Sequence, residues 1–182
     1  MSIRSFLGLS DEAPRSSSAE TESVRKVVEA LDHLAEDQAR LIAAFGYILG
    51  RVASADMNVS PEETRAMEHK VMDYGQLPEE QAIIVVQMAK TRNQLFGGTE
   101  NFLVTREFNR IASRDQKLAL LDCLFAVSAA QEDVSSIEEA EIRQVASELQ
   151  LEHRDFISVR SAWTDRLAIF KNLPGARTET QK

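Results

Sequence analysis

Apolar residues recur along this chain at three- and four-residue steps, the spacing that places them on one face of a helix. The first clear run predicts a helix from about Glu20 to Ala35. Its apolar positions are Val24, Val27, Val28, Leu31 and Leu34. The segments between the glycines and prolines show this helical period rather than the two-residue alternation of a half-buried strand. The pattern therefore predicts an all-α protein.

Prolines and glycines mark where the predicted helices begin and end. Pro61 and Pro78 suit the first turn of a helix, where the missing N–H is tolerated, and Gly75 supplies a stop between them. Gly97 and Gly98 interrupt the chain again. The remaining helices are predicted at about Asp37–Ala55, Pro61–Tyr74, Pro78–Asn93, between Phe102 and Ser113, and at Arg114–Ala129, Ser136–Leu149 and Glu152–Phe170.

The chain has the size of one domain. With 182 residues, of which 43% are hydrophobic, it can bury one ordinary core. We expect a single helical bundle of about seven to nine helices over residues 21–172. Residues 1–20 are predicted to be a flexible stub and linker. The stretch after Ser10 is rich in serine and has few large apolar side chains. Residues 173–182 are predicted to be a flexible tail.

The sequence contains an internal repeat at an offset of 75 positions. This shift lays VASADMNVSPEE, which starts at Val52, on VSAAQEDVSSIE, which starts at Val127, without a gap. The apolar face of the following helix is kept, and after a one-residue deletion Leu77 matches Leu151. We expect two copies of a unit made of helix, acidic loop, helix, turn and helix, packed with approximate two-fold symmetry.

The two acidic loops offer oxygen atoms to a hard divalent cation such as calcium or magnesium. The candidate metal ligands are Asp56, Asn58, Ser60 and Glu63 in the first loop and Asp133 and Glu138 in the second. Neither loop is an EF-hand, because the glycine of the sharp turn and the distant bidentate glutamate are missing.

The same loops also fit a purely structural interpretation. Ser60 with Glu63, and Ser135 with Glu138, have the spacing of a capping box, in which the two side chains satisfy free amides at a helix start. Such a cap stabilises a helix by about 0.5–2 kcal/mol. It accounts for the serines and glutamates but leaves Asp56 unexplained, so both interpretations stay open and can hold together.

The loops also show a resemblance to the TerB family of tellurite-resistance proteins. ASADMNVSPEE, followed by an amphipathic helix, is similar to the acidic loop of that family, and the stretch from Arg110 to Arg160 resembles its second half. The resemblance covers about Leu41 to Trp163. It implies an all-helical domain with an internal duplication, a role in tellurite and other chemical stress, and cation binding by the acidic loops, without catalytic activity.

The resemblance also assigns family positions within the loops. The acidic residues of the family correspond to Asp56 and Glu63 in the first loop and to Glu138 in the second. Gln131 stands where the family has an aspartate, and Met57 and Glu132 replace its glycine. These departures affect metal coordination more than packing.

Composition and charge narrow the functional classes. The 29 acidic residues outnumber the 21 lysines and arginines, and the net charge of −8 opposes the counterion release on which nucleic-acid binding depends. The single cysteine, Cys123, lies in an apolar run and indicates a reducing compartment. No apolar stretch approaches the roughly eighteen residues of a membrane span, and the first residues lack the apolar core of a secretory signal. We therefore expect a cytoplasmic protein that binds no nucleic acid.

The sequence contains no recognisable catalytic motif. The three histidines have no zinc-site spacing, no Glu-x-x-His pair is present for a di-iron bundle, and no G-x-S-x-G elbow singles out a nucleophile. A basic stretch is either a solvated face, a docking site for an acidic partner, or a partner of the acidic loops. It consists of Arg106, Arg110, Arg114 and Lys117.

The leading hypothesis is a non-enzymatic TerB-like interaction or scaffold protein of a stress response, which binds a protein partner and a divalent cation. One alternative is a metal-dependent enzyme that uses the acidic loops. Another is a helical module in peripheral contact with a membrane through residues 1–10, where Ile3 and Phe6 flank Arg4. Association of copies of this chain into a homo-oligomer stays open as well.

Overall fold

The computed structural model describes residues 19–53, 61–96, 101–130 and 133–167. These ranges form eight α-helices and one short 3-10 helix. The elements are α1 (Ala19–Asp32), α2 (Glu36–Val52), α3 (Pro61–Gly75), α4 (Glu79–Phe96), α5 (Asn101–Ile111), α6 (Arg114–Ser128), α7 (Ser136–Glu148), α8 (His153–Ser161) and η1 (Thr164–Arg166). The predicted all-α bundle is confirmed, and none of these helices is long and apolar enough to cross a membrane. The predicted stub and tail lie almost wholly outside the described residues.

Helix α2 is buried on every side. Each residue from Ile42 to Gly50 is buried, as in a helix whose whole circumference is covered by other elements. It packs against α1, α4, α5, α6 and α7. Its ends are polar, since Glu36 and Asp37 stand in the first turn and Arg51 in the last, and each charge has the sign that the helix dipole favours. These charges fix where the apolar segment begins and ends.

Helix α6 is the second central helix. From Ala119 to Ser128 every residue except Asp122 is buried, and the helix packs against α2, α3, α7 and α8. It starts at a capping box in which the Ser113 hydroxyl accepts from the Gln116 N–H at 3.2 Å, while the Ser113 N–H donates to the Gln116 side chain at 2.8 Å. Because α2 and α6 are the first helices of the two predicted repeat units, both units contribute their most buried helix to one core.

The last helix is shorter than the sequence predicted. Its apolar spacing indicated a helix that continued to about Phe170, but α8 ends at Ser161 and the chain then turns through η1. Leu167 forms a parallel β-bridge with Val134, whose N–H donates to the Arg166 carbonyl at 2.8 Å. The prediction was wrong because the fully buried Leu167 reaches the core through this bridge rather than from a helical face.

Two glutamines follow corresponding helices in the same left-handed conformation. Gln76, after α3, and Gln150, after α7, have φ values of 54° and 56°, and no other non-glycine residue of the described ranges has a positive φ. A left-handed residue closes the C-terminal end of a helix, and after α7 the Leu151 N–H donates to the Ala146 carbonyl at 3.1 Å. The two glutamines are 74 positions apart and align in the sequence repeat once its one-residue deletion is placed at Gly75, so the turn geometry agrees with the predicted duplication.

Helices α2 and α4 approach closely at Gly46. A Cβ atom placed on Gly46 would lie 2.4 Å from the Cβ of Met88 and 2.9 Å from the carbonyl oxygen of Val85. Both distances are too short for a carbon atom, and the second involves backbone that cannot move aside without shifting α4. Glycine is therefore required here by the helix packing.

We predict that Gly46→Ala destabilises the protein by about 1–3 kcal/mol, the usual cost of overpacking a core. Helix propensity alone would favour alanine by about 1 kcal/mol, so the sign of the effect separates packing from propensity. Ala140→Gly, on the exposed face of α7, is the control and should cost about 1 kcal/mol through propensity. Urea unfolding measures both variants, and a more stable Gly46→Ala protein would contradict the close approach.

Candidate functional site

The second acidic loop forms a helix cap at the start of α7. The Ser135 hydroxyl accepts a hydrogen bond from the Glu138 N–H at 3.2 Å. In return, Oε2 of Glu138 accepts from the Ser135 N–H at 2.9 Å and from the Ser135 hydroxyl at 2.7 Å. The capping box that the sequence predicted for this loop is confirmed.

A segment that we call the strap, residues 163–167, crosses this loop. Arg166 Nη2 donates to the carbonyl of Ala129, at the end of α6, at a distance of 2.6 Å. The bridge between Val134 and Leu167 holds the far side of the loop. The strap therefore fixes the loop at both of its ends.

The start of the strap is anchored on two helices. The indole Nε1 of Trp163 donates to Oδ1 of Asp122 on α6 at 2.7 Å, which satisfies the polar end of a largely apolar side chain. The Trp163 ring also packs on the Tyr74 ring of α3, with 5.2 Å between the ring centroids. Hence the strap ties α3 and α6 to the loop.

The two candidate metal ligands of the second loop have different partners. Oδ1 of Asp133 lies 3.6 Å from Nε of Arg166, within ion-pair distance, whereas Glu138 belongs to the capping box. In the part of the chain that the structure describes, no group of three or more His, Cys, Asp and Glu side chains is placed to hold a metal ion. The ordered groups of this loop thus serve the protein's own contacts.

Most of the first acidic loop lies outside the described residues. Asp56, Asn58 and Ser60 fall between residues 53 and 61, and for Glu63 the structure describes only the backbone, which belongs to α3. Pro61 is the first residue of α3, as the sequence predicted. The cation site of this loop stays a prediction.

Two buried carboxylates that the sequence did not single out are each held by arginine. Glu139 is 8% exposed and accepts from Arg160 at 2.8 and 3.3 Å, with an Arg143 nitrogen at 3.3 Å. Asp155 is 7% exposed and accepts from Arg114 at 2.6 Å. The four-residue spacing of Glu139 and Arg143 was a visible signal, but the contact with Arg160 joins two helices and had no signal in the sequence.

The basic stretch at the junction of α5 and α6 contributes contacts within the protein. Its pairs are Arg110 with Glu107, Arg114 with Asp155, and Lys117 with Asn109. These partners lie on α5 and α8 rather than in the acidic loops. These contacts do not support pairing with the acidic loops, and the Arg110 and Arg114 side chains remain 61% exposed, as on a solvated face.

The chain also matches a known protein family. The family model for the tellurite resistance protein TerB matches residues 40–161, which is more than half of the chain. The chain belongs to the TerB family. The resemblance seen in the sequence is therefore confirmed. No curated protein and no solved structure gave a significant match.

The TerB match begins in α2 and ends with the last residue of α8. It includes both acidic loops, the capping box at Ser135 and the buried carboxylates. Helix α1 and the strap lie outside the matched range. Contacts that fix the second TerB loop thus come partly from residues beyond the family pattern.

One buried arginine joins the two halves of the TerB domain. The Arg51 side chain, 6% exposed at the end of α2, donates to the Glu148 carboxylate of α7 at 2.7 and 3.1 Å and also to Glu141. A further nitrogen–oxygen distance of 3.3 Å links it to the Thr105 hydroxyl of α5. Because the first acidic loop follows α2 directly, this cluster holds the helix end from which that loop starts.

The cluster changes the protonation equilibria of its members. Burial by itself lowers the Arg51 pKa, but hydrogen bonds with Glu148 and Glu141 raise that pKa overall. Burial likewise raises the pKa of Glu148, and the hydrogen bond from Arg51 brings that pKa below its ordinary 4.5. Both side chains are therefore charged at neutral pH.

We predict that Arg51→Met destabilises the TerB domain by about 3 kcal/mol at neutral pH, because Glu148 loses the partner of its buried charge. The folded pKa of Glu148 lies below its unfolded value. The contribution of the cluster is therefore complete above pH 4.5 and is lost as the pH falls through the folded pKa. The stability gap between wild type and variant should narrow on acidification.

Urea unfolding at neutral and acidic pH measures this gap. Arg110→Met is the control, because Arg110 forms an exposed ion pair on α5, whose loss costs at most about 1 kcal/mol. A gap of the same size at both pH values would contradict charge pairing as the source of the stability.

Proposed function

We propose that this TerB-family protein is a non-enzymatic interaction module of a cytoplasmic response to tellurite or related chemical stress. It binds a protein partner through the surface at the start of α7. It also binds a divalent cation, calcium or magnesium, through the first acidic loop. Family membership supports the link with tellurite resistance, and the geometry of α7 supports the partner surface.

The observation that carries the proposal is the exposure of Ile137. This residue is 83% exposed, whereas Ile83, Leu103 and Ile157, the other exposed large apolar residues of the described ranges, are between 38% and 41% exposed. Burial of a large aliphatic side chain is worth about 1.5–3 kcal/mol. A partner that covers Ile137 gains this free energy, which the folded monomer leaves unused.

Hydrogen bonds hold the chain on both sides of Ile137. The capping box of Ser135 and Glu138 encloses the position, and the bridge of Val134 fixes the preceding residues. An anchor that is already ordered loses little conformational entropy on binding.

The buried ionisable groups support a structural rather than a catalytic use. The carboxylates of Glu139 and Asp155 are bound to arginines. Burial raises the pKa of the Cys123 thiol well above its ordinary range, so the group is protonated at neutral pH and is a poor nucleophile.

A tellurite-tolerance assay tests the partner surface. In a strain that lacks this gene, the wild-type gene should restore growth on tellurite and Ile137→Ser should not. The variant should fold normally, with its free energy of unfolding within about 0.5 kcal/mol of wild type. Ala140→Ser, one turn further along the exposed face of α7, is the matched control and should restore growth.

Three outcomes would count against the proposal or redirect it. Restoration by Ile137→Ser would refute the role of this surface. Failure of the wild-type gene would refute the link with tellurite. A change of oligomeric state in Ile137→Ser, measured by size-exclusion chromatography, would identify the partner as a second copy of the chain.

A thermal melt tests the cation. Calcium or magnesium should raise the Tm of the chelated protein, since a ligand at a hundred times its Kd adds about 2.7 kcal/mol to the stability of the folded form. Asp56→Ala should abolish this rise. Glu138→Ala should lower the stability by about 0.5–2 kcal/mol through its lost cap and keep the rise. No rise with either cation would refute the site, and a rise lost only in Glu138→Ala would move it to the second loop.

A further inference from the structure

A polar groove lies between α3 and α4, away from the start of α7. It encloses about 350 Å³ and is open to solvent. Its walls are formed by Pro61, Thr64, Arg65, Glu68 and Lys90. Two of these five side chains are cationic and one is a carboxylate, so the described part of the lining is net positive within an acidic protein.

Arg65 of this groove differs from most other arginines of the described ranges. Arg65 forms no hydrogen bond or ion pair with any described residue, although most arginines in these ranges are paired with a carboxylate. Those with such a pair are Arg25, Arg40, Arg51, Arg110, Arg114, Arg143, Arg154, Arg160 and Arg166. The guanidinium of Arg65 therefore keeps its five donors for another acceptor.

A hydrogen bond positions the ammonium of Lys90 without neutralising its positive charge. Its ammonium donates to the hydroxyl of Thr64 at 3.1 Å, and Thr64 is only 9% exposed. A buried hydroxyl fixes the ammonium without cancelling its charge, so two of its three donors stay available. No described carboxylate lies within ion-pair distance of Lys90.

In the second predicted repeat unit, the corresponding contact joins a cation to a carboxylate rather than to a hydroxyl. At the offset of 75 positions, Thr64 corresponds to Glu139, which is also buried in the first turn of its helix. Glu139 forms an ion pair with Arg160 of α8, just as Thr64 accepts from Lys90 of α4. The replacement of a carboxylate by a hydroxyl leaves the positive charge uncompensated in the first unit alone.

We propose that this groove binds a phosphate-like dianion between Lys90 and Arg65. Charge-assisted hydrogen bonds from an ammonium and a guanidinium are the contacts that oxyanions prefer. The groove also lies along the first two turns of α3, where the helix dipole is positive. Its openness admits either free phosphate or the phosphoryl group of a phosphomonoester.

The test is a titration of the full chain with inorganic phosphate, followed by NMR, in the presence of a chelator. The chelator ensures that no metal in the first loop carries the anion, so this result does not depend on the proposed function. Phosphate should shift the amide signals of Thr64, Arg65 and Lys90. Sulfate, a dianion of similar shape, should compete with phosphate, and phenyl phosphate shows whether a phosphomonoester also enters.

Variants that change the charge of the groove should change its affinity for phosphate in opposite directions. Lys90→Gln should weaken phosphate binding about tenfold, the effect of one lost hydrogen bond to a charged group. Glu68→Gln should tighten binding about fivefold, because it removes the carboxylate found among the described residues of the groove lining. Lys70→Gln is the matched control, since Lys70 is also on α3 but lies over the Tyr74 ring, outside the groove.

Two results would overturn the site. One is the absence of phosphate-dependent shifts at these residues in the wild-type protein, which does not require any variant to fold. The other is an equal loss of affinity in Lys90→Gln and Lys70→Gln, which would reduce the effect to general charge. Tighter binding by Glu68→Gln cannot arise from misfolding and therefore keeps the assignment independent of variant stability.

Discussion

Helix α2 has no solvent-facing side between Ile42 and Gly50, and this constraint places the other helices. An apolar surface that surrounds a helix must be covered from several directions at once, because each large side chain gains about 1.5–3 kcal/mol on burial. Five helices provide this cover, and Gly46 lets α4 come near enough for its backbone to touch α2. Helix α6 has the same role in the second half, so the two halves share one core.

The buried charges follow from this packing. Arg51, Glu139 and Asp155 each pair with a residue of another helix, and the pairs lie around the end of α2 and between α6, α7 and α8. Buried ion pairs add little net stability, because desolvation offsets most of the Coulomb attraction. We interpret these ion pairs as contacts that fix how the helices are oriented, since each pair forms only when its two helices are correctly placed.

The acidic loops show how related segments of a TerB protein acquire different roles. In the second loop, the strap brings Arg166 to Asp133, and Ile137 is exposed in the first turn of the helix that follows. The strap lies beyond the TerB match, so this use depends on residues that the family pattern does not contain. At the position that the predicted repeat aligns with Glu139, the hydroxyl of Thr64 accepts a hydrogen bond from Lys90.

The sequence by itself determined the all-α class, the start of α3 at Pro61, the capping box of Ser135 and the TerB family. Helical period, caps and motifs are set by residues within a few positions of one another. Only the tertiary structure decided where α8 ends and which charges pair. The apolar spacing up to Leu167 fits a longer helix as well as a bridge to Val134, and the partner on the other side of the contact decides between them. Arg51 and Glu148 are 97 positions apart, so no local pattern could join them. Their contact exists because the burial of α2 brings the ends of two distant helices together.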